Sequence, residues 1–543
     1  MRATLPKALS FLLSILLFIP VVSGQLTASP IFRSNMVLQR GTTVPVFGTA
    51  DAGATVTVQF MGQNVSAIAN GSGQWRADLS AMTASSSPST LIISSGAETI
   101  SFTGVQVGEV WVCSGQSNMG WPLSKANGGD AAIADAGNHN IRLFRMTAGN
   151  GPSTSSWQIS NSSTAGSFSA VGYWMGLELS QWFGNVPIGL IQATHDGTAI
   201  EHWQHSSGGI GDDYDAMIKS IQPFAVKGVA WYQGESNGGD GGYKEKLMNM
   251  INEWRSDWGQ PGLPFGIIQL AYRSGWNVCR NAQLEVADEM PESFLVVIRD
   301  LPGGTLHPTE KKPVGIRTAI GARGLVYGEN LTYSGPIRNV PESYVSGNKV
   351  ILKWKFLGGG LITNDGKPPG DFKLAAATGQ FKSATAVIVG NTVEVTSTSV
   401  SKPARVQYSY SSVGNLYNIV DIPTEGGSVI VTRLKASEFQ ITVSPAAASM
   451  PAIAASEILP ENKIQDILVY PNPSNGYFRI STVGFVADGK LFVEIFDLTG
   501  RRVYKKSGAA GGVIEVKTGL RPGVYVLRIK NNSTVYSRRL IIQ

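Results

Sequence analysis

A chain of 543 residues exceeds what one hydrophobic core organises and splits most naturally into three or four domains. With 43% hydrophobic and 15% charged residues it is a folded globular protein, which excludes a largely disordered one. The formal charge of +6 belongs to the tail: residues 465–543 hold twelve Lys or Arg against five Asp or Glu, so the basic balance argues little for a nucleic-acid-binding body.

Residues 1–24 place Arg2 and Lys7 before an apolar run that ends in Ser23 and Gly24, the layout of a secretory signal peptide cut after Gly24. No later segment has eighteen uncharged apolar residues, so no stable transmembrane segment is expected and the mature protein is expected to be soluble. Residues 25–104 alternate short β-type runs, such as 44-VPVFGTADAGATVTVQF-60, with Gly, Asn and Ser turns. They predict a small antiparallel domain of β-sandwich type.

Between 105 and 330 the texture changes. Apolar strands at 109–113, 187–193, 226–233, 264–271 and 293–300 are separated by stretches of helical spacing, notably 170–184 and 243–259. This pattern predicts an α/β domain on a parallel sheet, whose ligands bind beyond the carboxyl ends of the strands. Residues 331–445 return to β texture, with strands at 347–356 and 391–400. Residues 446–464 are rich in Ala, Pro and Ser and read as a linker. Residues 465–543, with Asn-Gly and Pro-Gly turns, read as a compact β module. Two cysteines, Cys113 and Cys279, are too few for a disulfide framework or a Cys-based metal site and are expected to be buried thiols.

The stretch 109-EVWVCSGQSNMGWPL-123 drops from an apolar strand into a turn of small residues, which places Ser117 at the carboxyl edge of the sheet. There it is either a helix cap or a nucleophile, and a nucleophilic hydroxyl needs a base. Five histidines exist: His139, His195, His202, His205 and His307. His307 follows the last strong strand and so shares the rim with Ser117, and Asp300 at that strand's end is the acid placed to orient it. His195 and His202 share the rim without a comparable acid pattern. Oxyanion donors have two sources, Gly197 in 192-QATHDGTAIEHW-203 and the polar residues Gln233, Glu235 and Asn237 in 229-VAWYQGESN-237. A carboxylate-pair glycosidase built on Glu235 and Asp300 leaves the Ser117 turn unexplained. No calcium loop, phosphate-cradling loop or helical zinc pair is present, so neither a metal nor a cofactor is expected.

These motifs resemble the sialate O-acetylesterase family of SGNH-type carbohydrate esterases. The resemblance lies in 115-GQSNM-119, 231-WYQGESN-237 and 307-HPTEKKPVGIR-317, with 31-IFRSNMVLQR-40 and 403-PARVQYSYSSVGNLYN-418 flanking them, and covers roughly residues 26–440. It implies an SGNH-hydrolase-like parallel sheet flanked by β domains. It also implies hydrolysis of sugar O-acetyl esters through an acetyl-serine on Ser117, with His307 as base and no cofactor. The oxyanion donors it implies are the N–H groups of Ser117 and Gly197 and the side chain of Gln233. The chain departs from the family twice. The orienting Asp commonly lies three residues before the His, where this chain has Gly304, and the usual Gly-Gly-Thr is here Asp196-Gly197-Thr198. Asp196 therefore stands as a substrate contact or a replacement orienter. An acetylxylan or xyloglucan esterase of plant polysaccharides is the alternative activity, and a non-catalytic glycan-binding protein is the alternative class.

The tail motifs 469-VYPNPSNGYFRI-480, 495-IFDLTGRRV-503 and 522-PGVYVLRI-529 resemble the C-terminal sorting domain of the Bacteroidetes type IX secretion system. The resemblance implies secretion machinery as a partner and a secreted or cell-surface location reached through the periplasm. A carbohydrate-binding β module is the alternative.

Overall fold

The computed structural model describes residues 25–445 apart from 185, 206–210, 411 and 424–428. In the tail it describes 468–470, 476–481, 490–497, 501–509, 513–521, 523–530 and 535–542. The expected signal peptide and linker lie outside the described residues. The described residues fall into two compact units, one within residues 25–445 and the other within residues 468–542.

The first unit is organised by one strand of 18 residues, β1 (Glu98–Gly115). Its first half pairs antiparallel with Ser85–Ser95, and its second half runs up the centre of a sheet. The expected border at residue 104 thus falls inside a strand: composition changes there, but the backbone hydrogen bonding does not stop. In its second half β1 is buried on both faces, as a central parallel strand should be.

Five further strands complete the central array: β2 (Ile141–Thr147), β3 (Ile188–Thr194), β4 (Gly228–Tyr232), β5 (Phe265–Ile268) and β6 (Ser293–Val296). Their order is β2-β3-β1-β4-β5-β6, and every neighbouring pair is parallel. The sheet as a whole is mixed, because Trp157–Ile159 adds antiparallel at the β2 edge and the N-terminal strands Thr55–Phe60, Gln63–Ile68 and Ser85–Ser95 extend it antiparallel. Three more N-terminal strands, Thr27–Ala28, Val44–Thr49 and Gln74–Leu79, form a separate small sheet.

Four helices pack on the parallel array: α1 (Ala170–Trp182), α2 (Tyr243–Asp257), α3 (Asn277–Glu289) and α4 (Lys312–Gly321). Ser169 caps α1, its hydroxyl accepting from the Gly172 N–H at 3.0 Å. Helix α2 buries Leu247, Met250, Ile251 and Trp254 on one stripe. Trp254 meets Trp231 of β4 edge-on at 5.8 Å, and Trp231 meets Trp203 in the same way at 5.7 Å. This aromatic column packs α2 and the Ile200–Trp203 turn against β4. Cys113 and Cys279 are both free and buried, and burial pushes the Cys113 thiol up to about 12.

Residues after α4 build an eight-stranded sheet from Ile337–Arg338 to Phe439–Thr442 and a three-stranded sheet of Leu361–Thr363, Leu416–Pro423 and Val429–Lys435. Glu438 ties this part to the α/β body: Arg280 of α3 donates to it at 2.7 Å and Arg299 pairs with its other oxygen, all three buried. The second unit has two antiparallel sheets closed on a core that includes Phe478, Ile480, Val493, Leu527 and Leu540.

Candidate active site

The carboxyl ends of β1, β3 and β4 deliver three loops to one rim. At the end of β1 the chain turns sharply through Gly115, whose φ is +133° and whose place allows no side chain. A Cβ there would lie 2.2 Å from the Tyr232 carbonyl of the neighbouring strand. Gln116 follows in extended conformation, and a helical turn, Ser117–Gly120, begins. Ser117 is half-buried, and its N–H belongs to the first turn, where no intrahelical acceptor exists.

Ser117 Oγ lies 2.8 Å from His307 Nε2, within reach for proton transfer. The indole of Trp121 stacks on the imidazole, with centroids 5.2 Å apart and planes 25° from parallel, and fixes the ring plane. Burial holds His307 below the ordinary histidine range. The charges of Lys311 and Arg273 act in the same direction, and Asp196 opposes them. The balance favours the neutral imidazole, the form that accepts a proton.

Beneath the pair lies a buried polar cluster. Asn118 Nδ2 donates to Glu235 Oε1 at 2.5 Å and to the Leu306 carbonyl, one residue before His307, at 2.9 Å. Its Oδ1 accepts from Lys311 Nζ at 2.5 Å, and that ammonium sits 5.2 Å over the Tyr232 ring. One side chain thus ties the serine turn to the histidine loop and to the loop after β4. Burial pulls Lys311 down and pushes Glu235 up, each to about 7, and the charge of each opposes the shift of the other.

The other expected residues divide. Asp300 does not reach His307: in the turn after β6, its two oxygens accept a bidentate pair from Arg317 of α4 at 2.7 Å each. Among the described residues no hydrogen bond joins Asp300 to the imidazole. Gln233 is wholly buried, with Nε2 on Asn237, Gln116 and Thr198 and Oε1 on the Tyr243 hydroxyl. It cannot turn toward an oxyanion without stranding those partners, so its expected donor role is corrected to that of an interior clasp. Asn237 is similarly engaged, by Ile200, Gln233, Glu201 and Asp240. Glu235 faces the serine turn rather than open space. Gly197 is exposed at φ +76°, and its carbonyl accepts from Ser236 Oγ at 2.9 Å, which clasps the β3 and β4 loops together. Asp196 is exposed beside Gly120, where an added methyl would sit 3.5 Å from its Oδ1.

Asp300→Asn separates the two placements of this acid. It is expected to cost roughly 1.5–3 kcal/mol of stability through the lost Arg317 pair, with kcat within a few-fold of the parent. A drop of about 10⁴, the loss seen when a triad acid is neutralised, would place Asp300 behind the base after all. Thermal unfolding and initial rates on the same preparation make the comparison.

Sequence reasoning missed Asn118, Lys311 and Trp121. Each stood inside a quoted motif, but nothing in the spacing showed that they meet.

Comparison with known proteins follows the same lines. The family description "Carbohydrate esterase, sialic acid-specific acetylesterase" matches residues 107–319, and "Secretion system C-terminal sorting domain" matches residues 468–543. A crystal structure of a carbohydrate acetylesterase from Xanthomonas citri is 32% identical, covers 76% of this chain and 99% of its own, and superposes with a TM-score of 0.68. The sialate O-acetylesterase of Homo sapiens is 29% identical over 382 residues, 56% of this chain and 72% of that protein. That of Pongo abelii is 28% identical over 381 residues, 56% of this chain and 72% of that protein. This chain belongs to the sialate O-acetylesterase family of carbohydrate esterases and carries a secretion-system sorting domain at its C-terminus.

Proposed function

We propose that the protein hydrolyses O-acetyl esters of sugars, sialic acid first among them, through an acetyl-serine intermediate on Ser117. The Ser117–His307 hydrogen bond of 2.8 Å carries this reading. His307 takes the hydroxyl proton as Oγ attacks the acetyl carbonyl, and returns it to the departing sugar oxygen. Water activated by the same imidazole then releases acetate. The N–H groups of Ser117 and Gly197 bind the oxyanion, a contribution of about 3–4 kcal/mol per donor in rate terms. The central parallel strands, with the nucleophile at the end of β1, support an SGNH-hydrolase-like arrangement. The expected third donor, Gln233, drops out of it.

Without Asp300 the base is one of a Ser-His pair. Asp196 is the acid whose charge favours the imidazolium. The sign follows: lowering the histidine pKa keeps the base available on acidification, so the acid limb of kcat/KM falls below the ordinary histidine value of 6.5. Asp196→Asn is expected to move that limb to still lower pH while weakening imidazolium stabilisation in the transition state. A limb that stays in place would remove Asp196 from the mechanism.

Acetate release from O-acetylated sialic acid, acetylated xylan and acetylated xyloglucan, compared side by side, tests the substrate class. The highest kcat/KM is expected on the sialic acid ester. Preference for either polymer would reassign the substrate, and no Ser117-dependent acetate release from any of them would overturn the esterase reading. The sorting domain supports delivery to the cell surface or beyond it, consistent with a glycan substrate outside the cell. Among the described residues no helix is long and apolar enough to cross a membrane.

A further inference from the structure

A second polar cluster, which the esterase chemistry does not use, lies behind the β3 loop. Asp213 is wholly buried. Its Oδ1 lies 2.8 Å from His195 Nδ1, whereas its Oδ2, equally enclosed, has no hydrogen-bond partner among the described residues. An unmatched buried carboxylate oxygen is costly. Beside it, His202 Nδ1 lies 2.7 Å from Asp212 Oδ1. One ligand atom from each of His202, Asp212 and Asp213 lies within 4.8 Å of the other two.

We propose that His202, Asp212 and Asp213 form a structural site for one Zn²⁺ ion, which braces the loop carrying Asp196 and Gly197. Metal–ligand bonds of about 2.0–2.2 Å place ligand atoms about 3.4 Å apart around a tetrahedral ion, so modest rotations of the His202 and Asp212 side chains close the site. Two carboxylates neutralise the ion, and an imidazole nitrogen favours Zn²⁺ over the oxygen-seeking Ca²⁺ and Mg²⁺. The remaining position faces solvent, since the side chains of His202 and Asp212 are 38% and 65% exposed. His195 serves as the outer support, holding the second oxygen of Asp213. Its own N–H donates to the Gly115 carbonyl at 3.2 Å, and it directly precedes Asp196 and Gly197 in the chain. The ion would thus be coupled to the loop's position beside the serine turn. The exposed pair His205–Asp257 has no such third ligand in a metal-binding group among the described residues.

The test uses the full chain after chelator treatment, titrated calorimetrically with Zn²⁺, Mn²⁺, Ca²⁺ and Mg²⁺ in parallel with thermal unfolding. One Zn²⁺ per chain is expected, with a rise in Tm by mass action. His202→Gln and Asp212→Asn each weaken binding at least about tenfold and abolish the Tm rise, while His205→Gln and Ser117→Ala leave both intact. Because His202 is only half-buried and Asp212 is exposed, their variants keep the fold even where Asp213→Asn does not. Absence of a saturable site, equal Zn²⁺ binding by parent and both of these variants, or preference for Ca²⁺ or Mg²⁺ would overturn the proposal. All these readings are independent of acetate release, so they stand or fall apart from the esterase reading.

Discussion

Ser117→Ala is expected to lower kcat on an O-acetylated sugar by about 10⁴- to 10⁶-fold, leaving the far-ultraviolet circular dichroism and Tm close to those of the parent. Among the described residues the hydroxyl bonds to His307 alone, so its removal leaves no fully buried group stranded. His307→Ala is expected to match it, although loss of the ring also removes the surface on which Trp121 stacks, so some thermal stability goes with it. The double variant is expected to be no worse than either single one, because serine and histidine act as a unit and the remaining rate comes from binding and the oxyanion donors. Pre-steady-state mixing of the parent with a chromogenic acetyl ester should give a burst of one equivalent, the mark of an accumulating acetyl-enzyme when deacylation is slow. A Ser117→Ala enzyme that keeps a tenth of the parent rate would remove the nucleophile assignment altogether.

The sequence carried the parts of this site that depend on short-range patterning. Continuous apolar runs gave β1, β3, β4, β5 and β6, because strands buried on both faces leave no polar interruptions to misread. The small-residue turn and the position after the last such strand put Ser117 and His307 on one rim, where their side chains lie 2.8 Å apart. Helix α2 was legible from its single apolar stripe. Helices α3 and α4 were not singled out: α3 buries charged Arg280 alongside Cys279, and α4 opens with Lys312 and Pro313 after a polar loop. What the sequence could not carry was which polar side chain meets which. Asp300 stood nearest His307 on the same rim, yet Arg317, a full turn beyond the start of α4, captures both of its oxygens. Gln233 had the right chemistry for an oxyanion donor, but the Tyr243 hydroxyl and the Asn237 and Gln116 amide oxygens hold it inward. Such competition between partners is decided by tertiary packing, 100 or more residues away in the case of Gln116.

The cluster behind the serine supplies the second large effect. Lys311→Met keeps the length of the side chain and removes the ammonium that Asn118 Oδ1 accepts from. Asn118 then loses one of its anchors, and with it the register between the Ser117 turn and the Leu306 carbonyl loosens. A misplacement of about 1 Å between nucleophile and base costs on the order of 100-fold, so kcat is expected to fall about 10- to 100-fold with KM little changed. The same substitution removes a positive charge that holds His307 low, so the acid limb of kcat/KM is expected to move upward in pH, opposite to the shift expected for Asp196→Asn. Loss of stability alone would reduce the active fraction without moving the limb, which makes the pH profile the deciding measurement. Glu235 adds a second check. Its Oε2 is buried with no hydrogen-bond partner among the described residues, and Lys311 is the cation whose charge acts on it. Removing only the lysine leaves the carboxyl uncompensated, whereas the Lys311→Met/Glu235→Gln pair removes both charges together. The double variant is therefore expected to regain most of the Tm lost by Lys311→Met, because a buried ion pair costs more when broken than when replaced. It is not expected to regain kcat, since neither change restores the hydrogen bond that held Asn118. Recovery of both would reduce the cluster to a packing element with no part in holding Ser117 against His307.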